Sequence, residues 1–322
     1  MDKYVKKAVK FAGKRLAPDR AHAVEMFLTT VSGITTITEI DLEFVNYCNL
    51  RCKWCSLDHA QEKSVMSEEL LRKFFDNLLS DTRFRGVQKL NLFNGGEILL
   101  HPRLVDMLAV VRDYKRRFLG KGRPFPVTDL LTNGVALNGD LARKLIDLDT
   151  LDLVRFSIDG GSPEKYEEIR KGAKWDAVAA NIREFTKINN GKVRTGIICI
   201  IEPGRPKDTA WMSDEFRQVC GLVDHLELRY PHDWMGDVKV EGYAKIFRNY
   251  CKFLFHSLVL LPDGGVVVCC GDLNGRKGTI GNLNNSDLFS IYSCKERRDM
   301  RYAFLRGRRH TIELCRDCGG YC

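Results

Sequence analysis

The feature that most constrains the fold is a sixfold alternation running from residue 37 to about residue 230. Short apolar runs occur at Thr38–Phe44, Val87–Phe93, Val127–Thr132, Leu151–Ser157, Val193–Ile201 and Asp224–Tyr230. Each is short enough, and rich enough in Val, Ile, Leu or Phe, for a strand buried on both faces. Amphipathic segments follow them, at about Ser67–Leu79, Arg103–Arg117, Asn138–Leu148, Pro163–Arg170 with Trp175–Asn189, and Trp211–Val223. Parallel strands joined by helical crossovers wind right-handed. Such a wind closes completely at eight units. Six units predict an α/β protein, a partial (β/α)6 TIM-type barrel with an open side.

After about residue 240 the pattern changes. Leu258–Leu261, Pro262-Asp263-Gly264-Gly265 and Val266–Val268 read as a β-hairpin. A Gly/Asn-rich loop (Gly271–Asn285), a short helix (Leu288–Leu305) and a cysteine-dense end follow. The expected organisation is therefore an N-terminal extension over 1–36, the barrel over 37–235 and a small second domain over 236–322.

Three kinds of protein are disfavoured by composition. Charged residues are 29% and hydrophobic residues 44% of the chain, as for a globular core rather than a disordered one. No run of eighteen apolar residues is present, and the N-terminus lacks a secretory signal pattern. A cytoplasmic location is expected. There the twelve cysteines point to metal ligation or catalysis rather than to disulfides. The net charge is +9, and residues 1–20 hold seven Lys or Arg against two Asp. Lys3, Lys6, Lys7, Lys10 and Lys14 interleave with Tyr4, Phe11 and Leu16, which predicts a helix with one basic and one apolar face. It either packs on the main domain or meets an anionic partner, such as a membrane surface.

In parallel α/β folds reactive groups gather beyond the C-terminal ends of the strands. The unusual residues lie there: a cysteine loop after the first strand, Asn94-Gly95-Gly96-Glu97 after the second, Thr132-Asn133-Gly134 after the third and Ser157-Ile158-Asp159-Gly160-Gly161 after the fourth. Within the loop, Cys48, Cys52 and Cys55 form CxxxCxxC. Three thiolates can each take one iron of a cubane cluster and leave the fourth iron open. A structural zinc would need a fourth ligand, and His59 could supply it. Later in the chain, Cys251, Cys269, Cys270, Cys315, Cys318 and Cys322 make a second group. Four of these thiolates could complete either an iron–sulfur cluster or a zinc site. Cys199 and Cys220, in a strand and a helix, are expected to pack in the core.

With Trp54 just before its third cysteine, the first motif resembles the signature of the radical S-adenosylmethionine (SAM) superfamily. That resemblance implies a [4Fe–4S] cluster on Cys48, Cys52 and Cys55, with SAM chelated by the open iron. Reductive cleavage of SAM then gives a 5′-deoxyadenosyl radical that abstracts a substrate hydrogen atom. Gly95-Gly96-Glu97 is similar to the family's GGE motif at the SAM amino group. Ser157 and Asp159 resemble a further patch, and Arg170 resembles an arginine that reaches the SAM carboxylate. Thr132 and Asn133 resemble a "TNG" on the ribose side.

The tail resembles the SPASM/twitch extension, in the shorter form that holds one auxiliary [4Fe–4S] cluster. By that resemblance its ligands are Cys251, Cys269, Cys315 and Cys318, with Cys270 and Cys322 as neighbours that could replace one of them. Cys270, beside that cluster, is the candidate hydrogen-atom donor. The implied activity is oxidation or epimerisation of a small polar, sugar- or aminocyclitol-like substrate, with a flavodoxin or ferredoxin as electron donor. Maturation of a ribosomal peptide and a non-catalytic zinc protein that binds nucleic acid are the alternative readings.

Overall fold

A computed structural model describes residues 35–242 and 251–319. The expectations for the basic N-terminal helix and for Cys322 lie outside the described residues.

The six expected strands form, trimmed by one or two residues at most ends. They are β1 (Glu39–Leu42), β3 (Lys89–Asn91), β4 (Val127–Thr132), β5 (Leu153–Ser157), β7 (Arg194–Ile200) and β8 (His225–Arg229). Two short strands intervene in the chain, β2 (Arg51–Cys52) and β6 (Arg170–Lys171), and pair with each other antiparallel. The six pair in parallel in the order β1-β3-β4-β5-β7-β8. This is the partial barrel that the alternation predicts.

The helices begin where the sequence supplies caps. In α1 (Glu68–Ser80) the Ser67 side chain accepts from Leu70 N, and Glu68 and Glu69 occupy the positive end of the helix dipole. Leu70, Leu71, Phe74, Phe75 and Leu78 form its buried stripe. On the same outer layer lie α2 (Leu104–Gly120), α3 (Gly139–Asp147), α4 (Pro163–Ile169), α5 (Trp175–Asn189) and α6 (Asp214–Cys220). The last of these starts three residues after its expected position, because Ser213 caps it and Trp211 is engaged elsewhere, against Gly161.

The tail differs more from expectation. After α7 (Lys252–His256) come β9 (Ser257–Leu260) and β10 (Gly265–Val267). They form the expected hairpin, but β9 also pairs parallel with β1, from Glu39 opposite Ser257 to Leu42 opposite Leu260. The hairpin therefore continues the barrel sheet past β1. The Gly/Asn-rich stretch read as a loop contains β11 (Thr279–Asn282), which pairs with β10. The single helix expected over Leu288–Leu305 is two, α8 (Leu288–Tyr292) and α9 (Lys295–Leu305). The second is capped by the Cys294 side chain, which accepts from Arg297 N. The last helix among the described residues is α10 (Glu313–Arg316).

Side chains alternate across a strand. In β1, Ile40 and Leu42 face the helices, whereas Glu39 and Asp41 line a cavity inside the barrel. Lys89, Asn91 and Arg155 line it from β3 and β5, and Arg229 from the end of β8. A closed barrel fills this space with branched apolar side chains. Here charged side chains are part of the lining, and the interior stays hollow.

Candidate active site

The cavity has a volume of about 420 Å³ and reaches from the cysteine loop to the interior of the barrel. Cys48, Cys52 and Cys55 line its mouth with Trp54, Gly95, Gly96, Glu97, Thr132, Asn133, Ser157, Asp159 and Arg170. All the first-cluster and cofactor residues read from the sequence thus meet in one place, although they come from four separate strand ends.

Glu97 is clamped in position. Its carboxylate accepts from Thr132 Oγ1 (2.7 Å), Asn133 N (2.7 Å) and Leu99 N (3.0 Å). Burial raises its pKa, and these hydrogen bonds only partly oppose the rise. Asn133 also donates to Asn49 Oδ1 at 2.8 Å and lies 3.7 Å from Cys48 Sγ, so it ties the third strand end to the cysteine loop.

Arg170 follows α4 and is buried. Its Nε lies 2.8 Å from Asp159 Oδ2 at an angle poor for a hydrogen bond, an Nη donates to Ser157, and the other Nη is 4.0 Å from Cys52 Sγ. Asp159 is fixed in turn by Ile200 N at 2.8 Å. The guanidinium therefore presents its positive charge to the cysteine loop. The nearby carboxylate and thiol raise its pKa against the opposing effect of burial. The three thiols are pushed up by burial, Cys52 to about 11, and its neighbour Arg170 only partly opposes this. Metal binding must therefore release protons here.

The glycines before Glu97 serve protein packing. A Cβ on Gly96 would collide with the Val45 carbonyl and lie 3.0 Å from Tyr47 N. Gly95 N and Gly96 N both donate to Glu43 Oε1, at 2.8 and 3.1 Å. Glu43 was not singled out by sequence reasoning. It is 1% exposed, its Oε2 has no hydrogen-bond partner, and burial pushes its pKa to about 8. Asp41, Glu39 and Asn91 were also missed. The signal was available: carboxylates at 39, 41 and 43 alternate with Ile40, Leu42 and Phe44.

The two adjacent tail cysteines take different directions. Cys270 lines the cavity and packs by Val259, Leu261 and Val267. Cys269 does not line it; its Sγ accepts from Gly271 N at 3.4 Å. Cys251, Cys315 and Cys318 pack with Cys269 against the main core. The segment after β8 bridges the tail and the cysteine loop: Trp234 Nε1 donates to Trp54 O at 2.7 Å. Asp233 accepts from Gly319 N at 3.1 Å. Cys199 and Cys220 are buried in the core.

Among the described residues no three His, Cys, Asp or Glu side chains, the loop thiols included, converge on a single metal ion. Three soft thiols facing one cavity, with a guanidinium beside them, instead suit an iron–sulfur cluster with one iron left open. Fold and site together define a partial-barrel protein built around an open three-thiol centre.

The chain belongs to the radical SAM superfamily, whose sequence pattern matches residues 42–215, more than half of its length. The SPASM iron–sulfur cluster-binding domain matches residues 251–319. This is a radical SAM enzyme, and the two matches imply SAM and [4Fe–4S] clusters as its cofactors.

A GTP 3′,8-cyclase of Microcystis aeruginosa is 27% identical over 84% of this chain and 80% of its own. A tungsten-containing aldehyde ferredoxin oxidoreductase cofactor-modifying protein of Pyrococcus furiosus is 33% identical over 119 residues, 37% of this chain. That match spans under a third of the Pyrococcus protein (30%). Among solved structures, BtrN in complex with AdoMet and 2-DOIA superposes with a TM-score of 0.60 at 17% identity, covering 88% of this chain and 94% of that one. Streptococcus suis SuiB bound to its precursor peptide SuiA gives 0.65 at 13% identity, covering 94% and 75%. These two likenesses establish the fold alone. No helix among the described residues is long and apolar enough to cross a membrane.

Proposed function

We propose that this enzyme oxidises or epimerises a small polar, sugar- or aminocyclitol-like substrate by abstracting a hydrogen atom from it. The observation that carries this reading is the shared cavity. Cys270, from the tail, faces the same polar space as the three-thiol loop and the charged barrel interior.

In this reading Cys48, Cys52 and Cys55 hold the first cluster, and Cys251, Cys269, Cys315 and Cys318 hold an auxiliary one within a C-terminal domain of residues 236–322. Bound SAM and the reduced first cluster, fed by a flavodoxin or ferredoxin, supply the hydrogen-abstracting radical. Trp54, Gly95, Gly96 and Glu97 bound the amino end of SAM. Thr132 and Asn133 lie on its ribose side. Ser157 and Asp159 aim Arg170, whose charge balances the thiolates and the SAM carboxylate. In epimerisation Cys270 would return one hydrogen atom from its thiol, and the sulfur radical left behind would regain the thiol by taking one electron from the flavodoxin or ferredoxin donor and one proton from solvent. In oxidation the substrate radical would lose one proton to solvent and one electron, which a cluster held by Cys251, Cys269, Cys315 and Cys318 would be placed to accept.

The likeness to SuiB favours peptide maturation as a second reading. Its support is fold alone, and the charged side chains that line the barrel interior suit a compact polar ligand.

The test is anaerobic reconstitution with dithionite, SAM and candidate substrates in deuterium oxide. Formation of 5′-deoxyadenosine with deuterium in a recovered epimer supports epimerisation; a product two hydrogens lighter supports oxidation. Cys270→Ala should abolish deuterium incorporation yet still form 5′-deoxyadenosine. Undiminished incorporation in that variant removes Cys270 from the mechanism.

A further inference from the structure

The segment after β8 bends in a way that its residue types resist. Trp234, Met235 and Gly236 all have positive φ, at 44°, 61° and 92°. The left-handed region crowds a Cβ against the backbone, and bulky residues are rare in it. Only two other non-glycine residues among those described share it, Asp149 and Asn190, whose side chains tolerate it. Strain of this kind persists only where the surroundings impose it.

Two sets of contacts impose it here. At one end, Trp234 Nε1 donates to Trp54 O at 2.7 Å, and the Trp234 ring meets His232 edge to face with centroids 4.0 Å apart. Trp54 lies between Cys52 and Cys55, so the bond grips the inside of the three-thiol loop. At the other end, the buried Asp233 accepts from Gly319 N at 3.1 Å, one residue past Cys318. Met235 is buried too. A Cβ on Gly271 would lie 3.5 Å from both Met235 Sδ and Cys269 Sγ, so the thioether packs beside that cysteine. A Cβ on Gly236 would lie 3.1 Å from Asp317 Cβ. Four consecutive residues thus touch the first cysteine loop on one side and the cysteine-bearing tail on the other.

We infer that residues 233–236 are a strut through which the tail positions the three-thiol loop, with Trp234 and Asp233 as its positioning residues. Relaxing the turn to ordinary φ values would give up one set of contacts or the other, so seating the tail end delivers the indole to Trp54. The other ties on the loop act elsewhere. Lys53 N donates to Ile169 O at 2.8 Å, which joins the loop to the barrel. Asn274, from the tail, donates to Ser56 O at 3.2 Å and accepts from Asp58 N at 2.9 Å, just beyond Cys55. The strut is a mechanical link between the places proposed for the two clusters. It rests on the proposed first-cluster ligands only for its consequence at SAM.

The test is hydrogen exchange by mass spectrometry on the full-length, cluster-loaded enzyme, followed at the amides of residues 53–55. SAM affinity is measured alongside, without reductant. Trp234→Phe keeps a ring against His232 and removes the N–H donor. Exchange at 53–55 should quicken about fivefold, the worth of one net hydrogen bond, and SAM should bind about fivefold more weakly. Asp233→Ala cuts only the tail end, yet exchange at 53–55 should rise about threefold. Asp233→Asn keeps an oxygen for Gly319 N and should restore the wild-type rate. Gly236→Ala removes no side chain and presses on Asp317. It should raise exchange likewise and keeps the test open if Asp233→Ala fails to fold. Unchanged exchange at 53–55 in Trp234→Phe, or in both tail-end variants, overturns the strut. So does an Asp233→Asn enzyme that exchanges as fast as Asp233→Ala. Faster exchange with unchanged SAM affinity leaves the strut standing and counts against the proposed SAM site at the three thiols.

Discussion

Replacing Gly96 with alanine tests how the cysteine loop is held. The added Cβ would penetrate the Val45 carbonyl, lying 2.7 Å from its carbon and 3.0 Å from Tyr47 N. Every one of these neighbours is backbone, so no rotamer can relieve the contact. The tightest contact is to the Val45 carbonyl oxygen, and non-bonded carbon–oxygen contacts are comfortable only beyond about 3.2 Å, so the 45–47 segment must retreat by about 1 Å or more. Overpacking of this kind costs about 3 kcal/mol, the upper part of its usual range. At about 2.1 cal/mol/K per residue, the unfolding entropy of the chain is about 0.7 kcal/mol/K, and Tm should fall by about 4 °C. The displaced segment leads into Cys48 and is hydrogen-bonded to the second strand end, Glu97 N to Tyr47 O at 3.0 Å. A shift of about 1 Å at a reacting centre can cost about a hundredfold in rate. Differential scanning fluorimetry and anaerobic 5′-deoxyadenosine formation read the two effects. Gly120→Ala is the control: at the end of α2 its Cβ meets nothing within 4 Å, so Tm should hold or rise slightly. A Gly96→Ala enzyme that melts within 1 °C of wild type and cleaves SAM at the wild-type rate would refute the reasoning.

Glu43→Gln keeps an oxygen for Gly95 N and Gly96 N but cannot ionise. Because burial raises the folded pKa of Glu43 from 4.5 to about 8, its contribution is full below the unfolded value and is lost as pH rises through 8. Wild-type Tm should therefore decline more steeply than the variant's between pH 5 and 8, and parallel curves would contradict this. Asp129→Asn removes the buried carboxylate that holds Arg155 and Lys89, and should cost about 3 kcal/mol, read as a Tm fall of about 4 °C. With the two clusters of the proposed function, Cys48→Ala should lower iron from about eight to about four per chain and abolish 5′-deoxyadenosine formation, with retained SAM cleavage counting against the assignment.

Much of the site was legible locally. The strand Val127–Thr132 and the helix Trp175–Asn189 form with the bounds that periodicity gives them, because apolar spacing is fixed along the chain itself. The cysteine loop, Glu97, Asn133 and Asp159 are placed correctly at strand ends because a parallel wind sends every such end to the same rim. What could not be read was pairing between distant segments. Sequence spacing does not say that β9 lies beside β1, since strand neighbours are chosen by packing over more than 200 residues of separation. Nor does it say that Cys269 and Cys270 part company, which depends on what each meets beyond the hairpin. The β1 carboxylates are the sharpest case. Glu39 and Asp41 were visible as alternating carboxylates in an apolar run, but only the register that sets Asp41 opposite Asn91 gives them one shared amide donor. The sequence by itself determined the type of chemistry, because metal-binding thiols and barrel periodicity are local. The tertiary structure decided what the cavity asks of a substrate, because that depends on which charges already have partners.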